Sequence, residues 1–131
     1  MSLLFDASSI FKALVERKVG VLYGNYTLDL AVYEVGNVLW KRVSLLRDVG
    51  YEEAIRLTAL VKRVFKLLKK VDVSCHEQEV IDIAVKLGIT FYDASYVFAA
   101  KSNNFTLVTE DEKLKMKVGS YVSALSLKEV V

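Results

Sequence analysis

Leu3-Leu4-Phe5-Asp6-Ala7-Ser8-Ser9-Ile10-Phe11-Lys12-Ala13-Leu14-Val15-Glu16 is the stretch whose reading decides the fold. Leu3 to Phe5 is a short apolar run ended by an acid, the pattern of a buried strand. Ser8 to Glu16 then carries apolar residues at Ile10, Leu14 and Val15, with Phe11 and Ala13 beside them, and predicts a short helix. The same alternation continues downstream. Val19 to Tyr23 reads as a helical turn and Tyr26 to Leu28 as a strand. Leu30 to Leu46 reads as a long helix, almost wholly apolar in its first half. Tyr51 to Lys70 is an amphipathic helix with a stripe of Ala54, Leu57, Val61, Val64, Phe65 and Leu68, acids in its first turn and lysines in its last. Val71 to Val73 reads as a strand, and Ser74-Cys-His-Glu77 as a capping box opening a helix that ends at Gly88. Asp93 to Lys101 is read as helix, Phe105 to Val108 as strand, Glu110 to Lys117 as a short polar helix and Tyr121 to Leu125 as a last strand. Strands separated by helices imply an α/β fold with a mostly parallel sheet, and ligands bind such sheets beyond the carboxyl ends of the strands.

Bulk properties narrow the chemistry. The 131 residues suit one domain, expected to span 1–131, with 53% hydrophobic and 26% charged residues. There is no proline, no repeat and no linker-like stretch. No apolar run approaches the roughly 20 residues that span a bilayer. The N-terminus lacks a basic stretch followed by a long apolar one, so a cytoplasmic protein without a membrane association is expected. A single cysteine, Cys75, excludes an internal disulfide, and a single histidine, His76, excludes a site of several imidazoles. Any metal must therefore be held by oxygen. The net charge of +2 neither announces nor forbids nucleic-acid binding.

The oxygen donors that draw notice are Asp6, Glu34, Asp93 and Asp111. Asp6 follows the first strand directly, Asp111 comes three residues after Val108, and Asp93 opens a helix. A parallel sheet can bring these three to one edge. Each also fits a structural role: Asp6 as a helix cap, Thr90-Phe-Tyr-Asp93 as a capping box, Asp111 as a first-turn acid. Glu34 lacks such a local role. It lies inside Leu30-Ala-Val-Tyr-Glu34-Val-Gly-Asn37-Val-Leu-Trp40, where burying a carboxylate is costly without a metal or a basic partner, Lys41 or Arg42 being the local candidates.

Four segments carry a resemblance. Leu4-Phe5-Asp6-Ala7-Ser8 resembles the Asp-x-Ser element that ends the first strand of PIN domains. Tyr33-Glu34-Val35-Gly36-Asn37-Val38-Leu39 is similar to the family's helical Glu-x-x-Asn-x-Leu element. Gly88-Ile-Thr-Phe-Tyr-Asp93-Ala94-Ser-Tyr96 resembles its Tyr-Asp-Ala-x-Tyr segment, and Leu107-Val-Thr109-Glu-Asp111-Glu-Lys-Leu114 its Thr-x-Asp motif. They occur in family order across nearly the whole chain, and VapC-type toxins of toxin–antitoxin pairs look most alike. The resemblance implies a three-layer α/β/α sandwich, magnesium or manganese as cofactor, an RNA substrate, an antitoxin partner and frequent homodimers. It makes Asp6, Glu34, Asp93 and Asp111 the metal-binding and catalytic acids, with Ser8, Asn37 and Thr109 supporting them. Glu110 and Glu112 flank Asp111, so that role can slip by one position.

The resemblance thus implies hydrolysis of internal RNA phosphodiesters, a chemistry the residue types suit, since carboxylate oxygens favour hard cations and a bound metal activates water near neutral pH. An inactive PIN-like module that only holds RNA or protein is the alternative. A receiver-type signalling domain is a third small α/β protein with clustered acids, but Glu34 in mid-helix has no place in it. Lys62, Arg63, Lys66, Lys69 and Lys70 form either a phosphate-steering face or a solvated one. Lys12, Arg17, Lys18, Lys41 and Arg42 are nearer the acids in sequence. Tyr92, Tyr96 and Phe98 are read as core, with stacking on RNA bases as the alternative for an exposed tyrosine, Trp40 as core or dimer interface, and Cys75–His76 as a pair without chemistry.

Overall fold

A computed structural model describes all residues, Met1–Val131. Five short strands form one parallel sheet in the order β3-β2-β1-β4-β5: β1 Leu3–Phe5, β2 Tyr26–Thr27, β3 Lys69–Lys70, β4 Thr106–Val108 and β5 Ala124–Leu125. Seven helices cover it: α1 Ala7–Val15, α2 Leu30–Ser44, α3 Tyr51–Leu67, α4 Glu77–Leu87, α5 Phe91–Asn103, α6 Glu112–Val118 and α7 Leu127–Val130. The result is a three-layer α/β/α sandwich, and the single 3-10 turn lies at Val19–Leu22.

β1 is central because its residues are apolar on both faces: Leu3, Leu4 and Phe5 are all buried, as a strand covered from both sides requires. Leu107 and Val108 of β4 pair with Leu4 and Phe5 and are equally buried. The core cluster runs from Leu3 to Leu127 and takes residues from α1, α2, α3, α4, α5 and α6. Truncating a side chain at its centre, as in Leu4→Ala, costs roughly 2–5 kcal/mol in sites of this kind.

The order of strands matters for function. From β1 the chain moves outward to β2 and β3 on one side, then returns to β4 and β5 on the other. The strand order therefore reverses between β1 and β4, and a crevice opens at their carboxyl ends. On the β2 side β1 pairs only at Leu4, with Tyr26. The carbonyl of Phe5 is satisfied there by the buried Thr27 hydroxyl, at 2.7 Å, rather than by a ladder amide.

Three expectations need correction. The third strand lies at Lys69–Lys70, not Val71–Val73, because pairing with β2 sets it: Lys69 N–H donates to Asn25 O and Val71 N–H to Thr27 O. An edge strand made of lysines is protected from further pairing, which hydrophobicity alone does not reveal. The capping box expected at Ser74–Glu77 does not form. Asp72 takes both the N–H and the hydroxyl of Ser74, Glu77 takes the Cys75 N–H, and α4 starts after His76. The last strand is shorter than Tyr121–Leu125, because the N–H groups of Tyr121 and Val122 turn back to Val118 O. Two ring placements change as well: Trp40 and Tyr92 are 53% and 59% exposed and are not core. No single helix is long and apolar enough to cross a membrane.

Candidate active site

Asp6 stands where β1 ends at the reversal point, held from three directions. Its backbone N–H donates to Val108 O on β4, at 3.1 Å. Its side chain caps α1: Oδ1 accepts from Ser9 N–H at 3.0 Å, Ser8 Oγ at 2.7 Å and Ser9 Oγ at 3.2 Å. Ser9 Oγ also reaches Val108 O, at 2.8 Å. All three of the side-chain bonds fall on Oδ1 and none on Oδ2. The carboxylate is thus fixed in direction and almost wholly buried.

Ser8 and Thr109 join this acid to the loop after β4. Ser8 Oγ accepts from Glu110 N–H at 2.9 Å and lies 3.3 Å from Thr109 Oγ1, which accepts from Asp111 N–H at 3.2 Å. Asp111 in turn caps α6 through Leu114 N–H, at 3.1 Å. Two hydroxyls therefore link the ends of β1 and β4 and set the spacing of their acids. Of the three neighbouring acids only Asp111 faces the crevice. Glu110 accepts from Leu127 N–H and lies 3.9 Å from Lys12, while Glu112 points to Lys115.

Glu34 enters from the middle of α2. The buried positions of that helix are Ala31, Val35 and Leu39, so Glu34 lies beside the buried stripe and is half-buried. Its partner is Tyr96 of α5, whose hydroxyl donates to Oε1 at 2.7 Å. Asp93, one turn earlier on α5, is also half-buried, and its N–H is capped by Thr90 Oγ1 at 3.0 Å.

These elements enclose one pocket of about 630 Å³, lined by Asp6, Ala7, Ser8, Leu30, Tyr33, Glu34, Asn37, Val38, Tyr92, Asp93, Tyr96 and Asp111. All four acids singled out in the sequence meet there, with Ser8 and Asn37. Thr109 lies beneath, behind the wall. Four of the lining residues are acidic and none is basic. Lys12 and Lys18 are tied to Glu16, and Arg42 to Asp48, away from the pocket.

The uncompensated charge shows in the carboxyl groups. Burial pushes Asp6 up from its ordinary value, against the hydrogen bonds from Ser8 and Ser9. Burial also raises Glu34, with the Tyr96 bond opposing and the charges of Asp93 and Asp6 adding. Asp93 is raised by burial first, then by Asp6 and Asp111. Tyr96, buried beside Glu34, is pushed far above its usual range and stays a neutral donor.

Such a site fits a hard cation. Its donors are carboxylate oxygens, crowded and without a counter-charge. As they stand no three of them form a ready-made cage. Only a cation that keeps several of its waters and takes few protein ligands directly meets that limit. The sequence did not single out Tyr96, Ser9 or Thr27 as site residues. Tyr96 reads as core, and it is core, but its hydroxyl serves Glu34. Ser9 follows Ser8 in the same motif, and its spacing of three from Asp6 was the signal.

Known proteins resemble the chain over most of its length. The PIN domain profile matches residues 4–118. Two proteins of Pyrobaculum aerophilum are similar in sequence. "Ribonuclease VapC3" is 36% identical over 94% of this chain and 99% of its own length. "Exonuclease VapC9" is 39% identical over 76% of this chain and 71% of its own length. The crystal structure of PAE2754, also from Pyrobaculum aerophilum, superposes with a TM-score of 0.83 at 30% identity, covering 98% of this chain and 92% of that one.

Proposed function

The chain belongs to the PIN-domain family and is a nuclease of the VapC type, and from that premise we propose that it hydrolyses internal RNA phosphodiester bonds with Mg2+ or Mn2+ as cofactor. Asp6, Glu34, Asp93 and Asp111 hold the metal and carry the catalysis. Ser8, Asn37 and Thr109 support them. The 131 residues work as one PIN-like unit, as one core reaching from Leu3 to Leu127 supports. The chain acts as the toxin of a VapBC-type pair, is restrained by its antitoxin, pairs as a homodimer and works in the cytoplasm. The observation that carries the catalytic reading is that four acids from four separate stretches line one pocket with no cation among them.

Each residue type has a task. Asp6 offers an oxygen whose direction is set by the α1 cap and the serine pair. Glu34 is oriented by the Tyr96 hydroxyl, which stays protonated and so can only donate to it. Asp93 and Asp111 complete the ring from the first turn of α5 and the cap of α6. The low accessibility of Asp6 strengthens every charge interaction there, because water screens it poorly. When bound, the metal would supply charge stabilisation at phosphate oxygens and a water acidified toward neutral pH. The pocket's raised carboxyls favour cation uptake at neutral pH over acidic pH, since protonation competes with the ion.

A circular RNA separates internal from terminal cutting. With Mg2+ or Mn2+ the protein should linearise the circle, and chelation should prevent it. Cutting of linear RNA with the circle spared would assign terminal trimming instead, the activity in the name of the VapC9 relative. Binding without any cutting would leave the inactive-module reading.

A further inference from the structure

The pocket presents two rings that the ion-holding reading leaves unused. Tyr33 of α2 and Tyr92 of α5 both line it, 75% and 59% exposed. Each precedes a pocket acid in the chain, Glu34 and Asp93. Neither ring stacks on another aromatic or lies beneath a cation, and neither hydroxyl makes a hydrogen bond within the protein. The third tyrosine of the pocket, Tyr96, is the opposite case, buried and bonded. Packing therefore accounts for Tyr96 but not for the other two.

Electrostatics says what such rings are for. The pocket wall is acidic and has no lysine or arginine, so a phosphate chain is repelled there until a cation enters. Affinity for the strand near the cut must then come from the bases. A base offers a flat π-face to an exposed tyrosine, a contact that needs no charge and tolerates any sequence. A base inside a duplex already has its faces covered by neighbours.

We propose that Tyr33 and Tyr92 form base-stacking subsites beside the acid pocket, each ring taking the open face of one base next to the cut. The proposal rests on the ribonuclease reading above. A fluorescein-labelled ten-nucleotide single-stranded RNA, its blunt duplex, and an abasic strand of the same length are titrated with the full chain in EDTA, with anisotropy as readout. Tyr33→Ala and Tyr92→Ala should each weaken single-strand binding by about tenfold, within the range expected for one stacked base. Tyr33→Phe and Tyr92→Phe should stay within about twofold, since the face remains. The alanine variants should bind the abasic strand as the wild type does. Calorimetric Mn2+ binding should be unchanged in all four variants. A wild type that binds RNA no better than the abasic strand overturns the proposal. So do alanine variants with wild-type RNA affinity, including any that instead lose a protein partner. Failure of the wild type to cut any RNA with added metal sinks the ribonuclease reading instead, whatever the tyrosines do.

Discussion

Thr90-Phe-Tyr-Asp93 and Ser126-Leu-Lys-Glu129 share one pattern, a hydroxyl residue followed three positions later by an acid at the start of a helix, yet their carboxylates end in opposite states. Glu129 reaches back to Ser126, accepting from its N–H and its hydroxyl at 2.9 Å each, and faces Lys115 at 2.8 Å. Those partners pull it down to about 2, the lysine contributing most. Asp93 is one methylene shorter. Its N–H is capped by Thr90, whose hydroxyl is the one influence lowering its carboxyl, and it meets no cation. Burial and the charges of Asp6 and Asp111 push it up instead. The acid at the last helix is paired with a lysine, whereas the pocket acid meets burial and other carboxylates, at a cost in stability.

The contrast is most exposed to failure in catalysis. Asp93→Asn should lower kcat/KM for RNA by more than about a hundredfold, beyond what loss of a mere supporting partner causes. Glu129→Gln should leave it unchanged. Equal rates in wild type and Asp93→Asn, measured on a fluorogenic RNA, would remove Asp93 from the site.

Next in size is Tyr96→Phe. It deletes the hydroxyl on Glu34 Oε1 and little else, because the ring stays in the core. Metal affinity, by calorimetry, should fall about 10–100-fold, the usual effect of removing an outer partner of a ligand. An unchanged affinity would reduce Tyr96 to packing.

Smaller effects appear in melting of the metal-free protein. Asp93→Asn should raise Tm by about 1–3 °C at pH 7.5, a modest gain because the group is only half-buried. A folded-state value above 3.8 means that the charged form disfavours folding, so the penalty is present above that raised value and gone below 3.8. The gain from Asn should therefore vanish as pH falls to 3.8. A Tm difference independent of pH would mean that charge is not its cause.

Glu129→Gln is smallest and of opposite sign, a loss of about 1 °C, since its ion pair is exposed. Here the folded value is depressed, so the stabilisation is present above the ordinary 4.5 and disappears as pH falls through about 2. Thermal scans between pH 2 and 7.5 should show this loss for Glu129→Gln shrinking over the range from 4.5 down to 2. Parallel curves for the two variants would erase the distinction between the neighbourhoods.

Much of this was legible in the residues, for reasons that differ by region. Leu3 to Asp6 and Thr106 to Asp111 are read correctly because a buried parallel strand needs a continuous apolar run, and acids that follow two such runs share an edge. Glu34 is conspicuous because its neighbours are apolar. One edge of the sheet was hidden, since Lys69–Lys70 is a strand only by virtue of its neighbour, while at the other edge the strand was legible but not its start at Ala124. The true capping box at Ser126–Glu129 carries the same signal as the false one at Ser74–Glu77, where Asp72 captures the serine first. The exposure of Tyr33 was also out of reach. The apolar first half of α2 predicts burial all round, whereas Val32, Tyr33 and Trp40 face outward.

Asp6 and Asp111 each hold a helix start while facing the pocket, so a side-chain amide can inherit the first task but not the second. Asparagine at either position keeps an oxygen for the waiting N–H and removes the charge. On the proposed roles of these acids, the substitution would disarm the chain with its architecture intact, and an inert double of this kind would serve as bait for fishing its RNA targets out of a living cell.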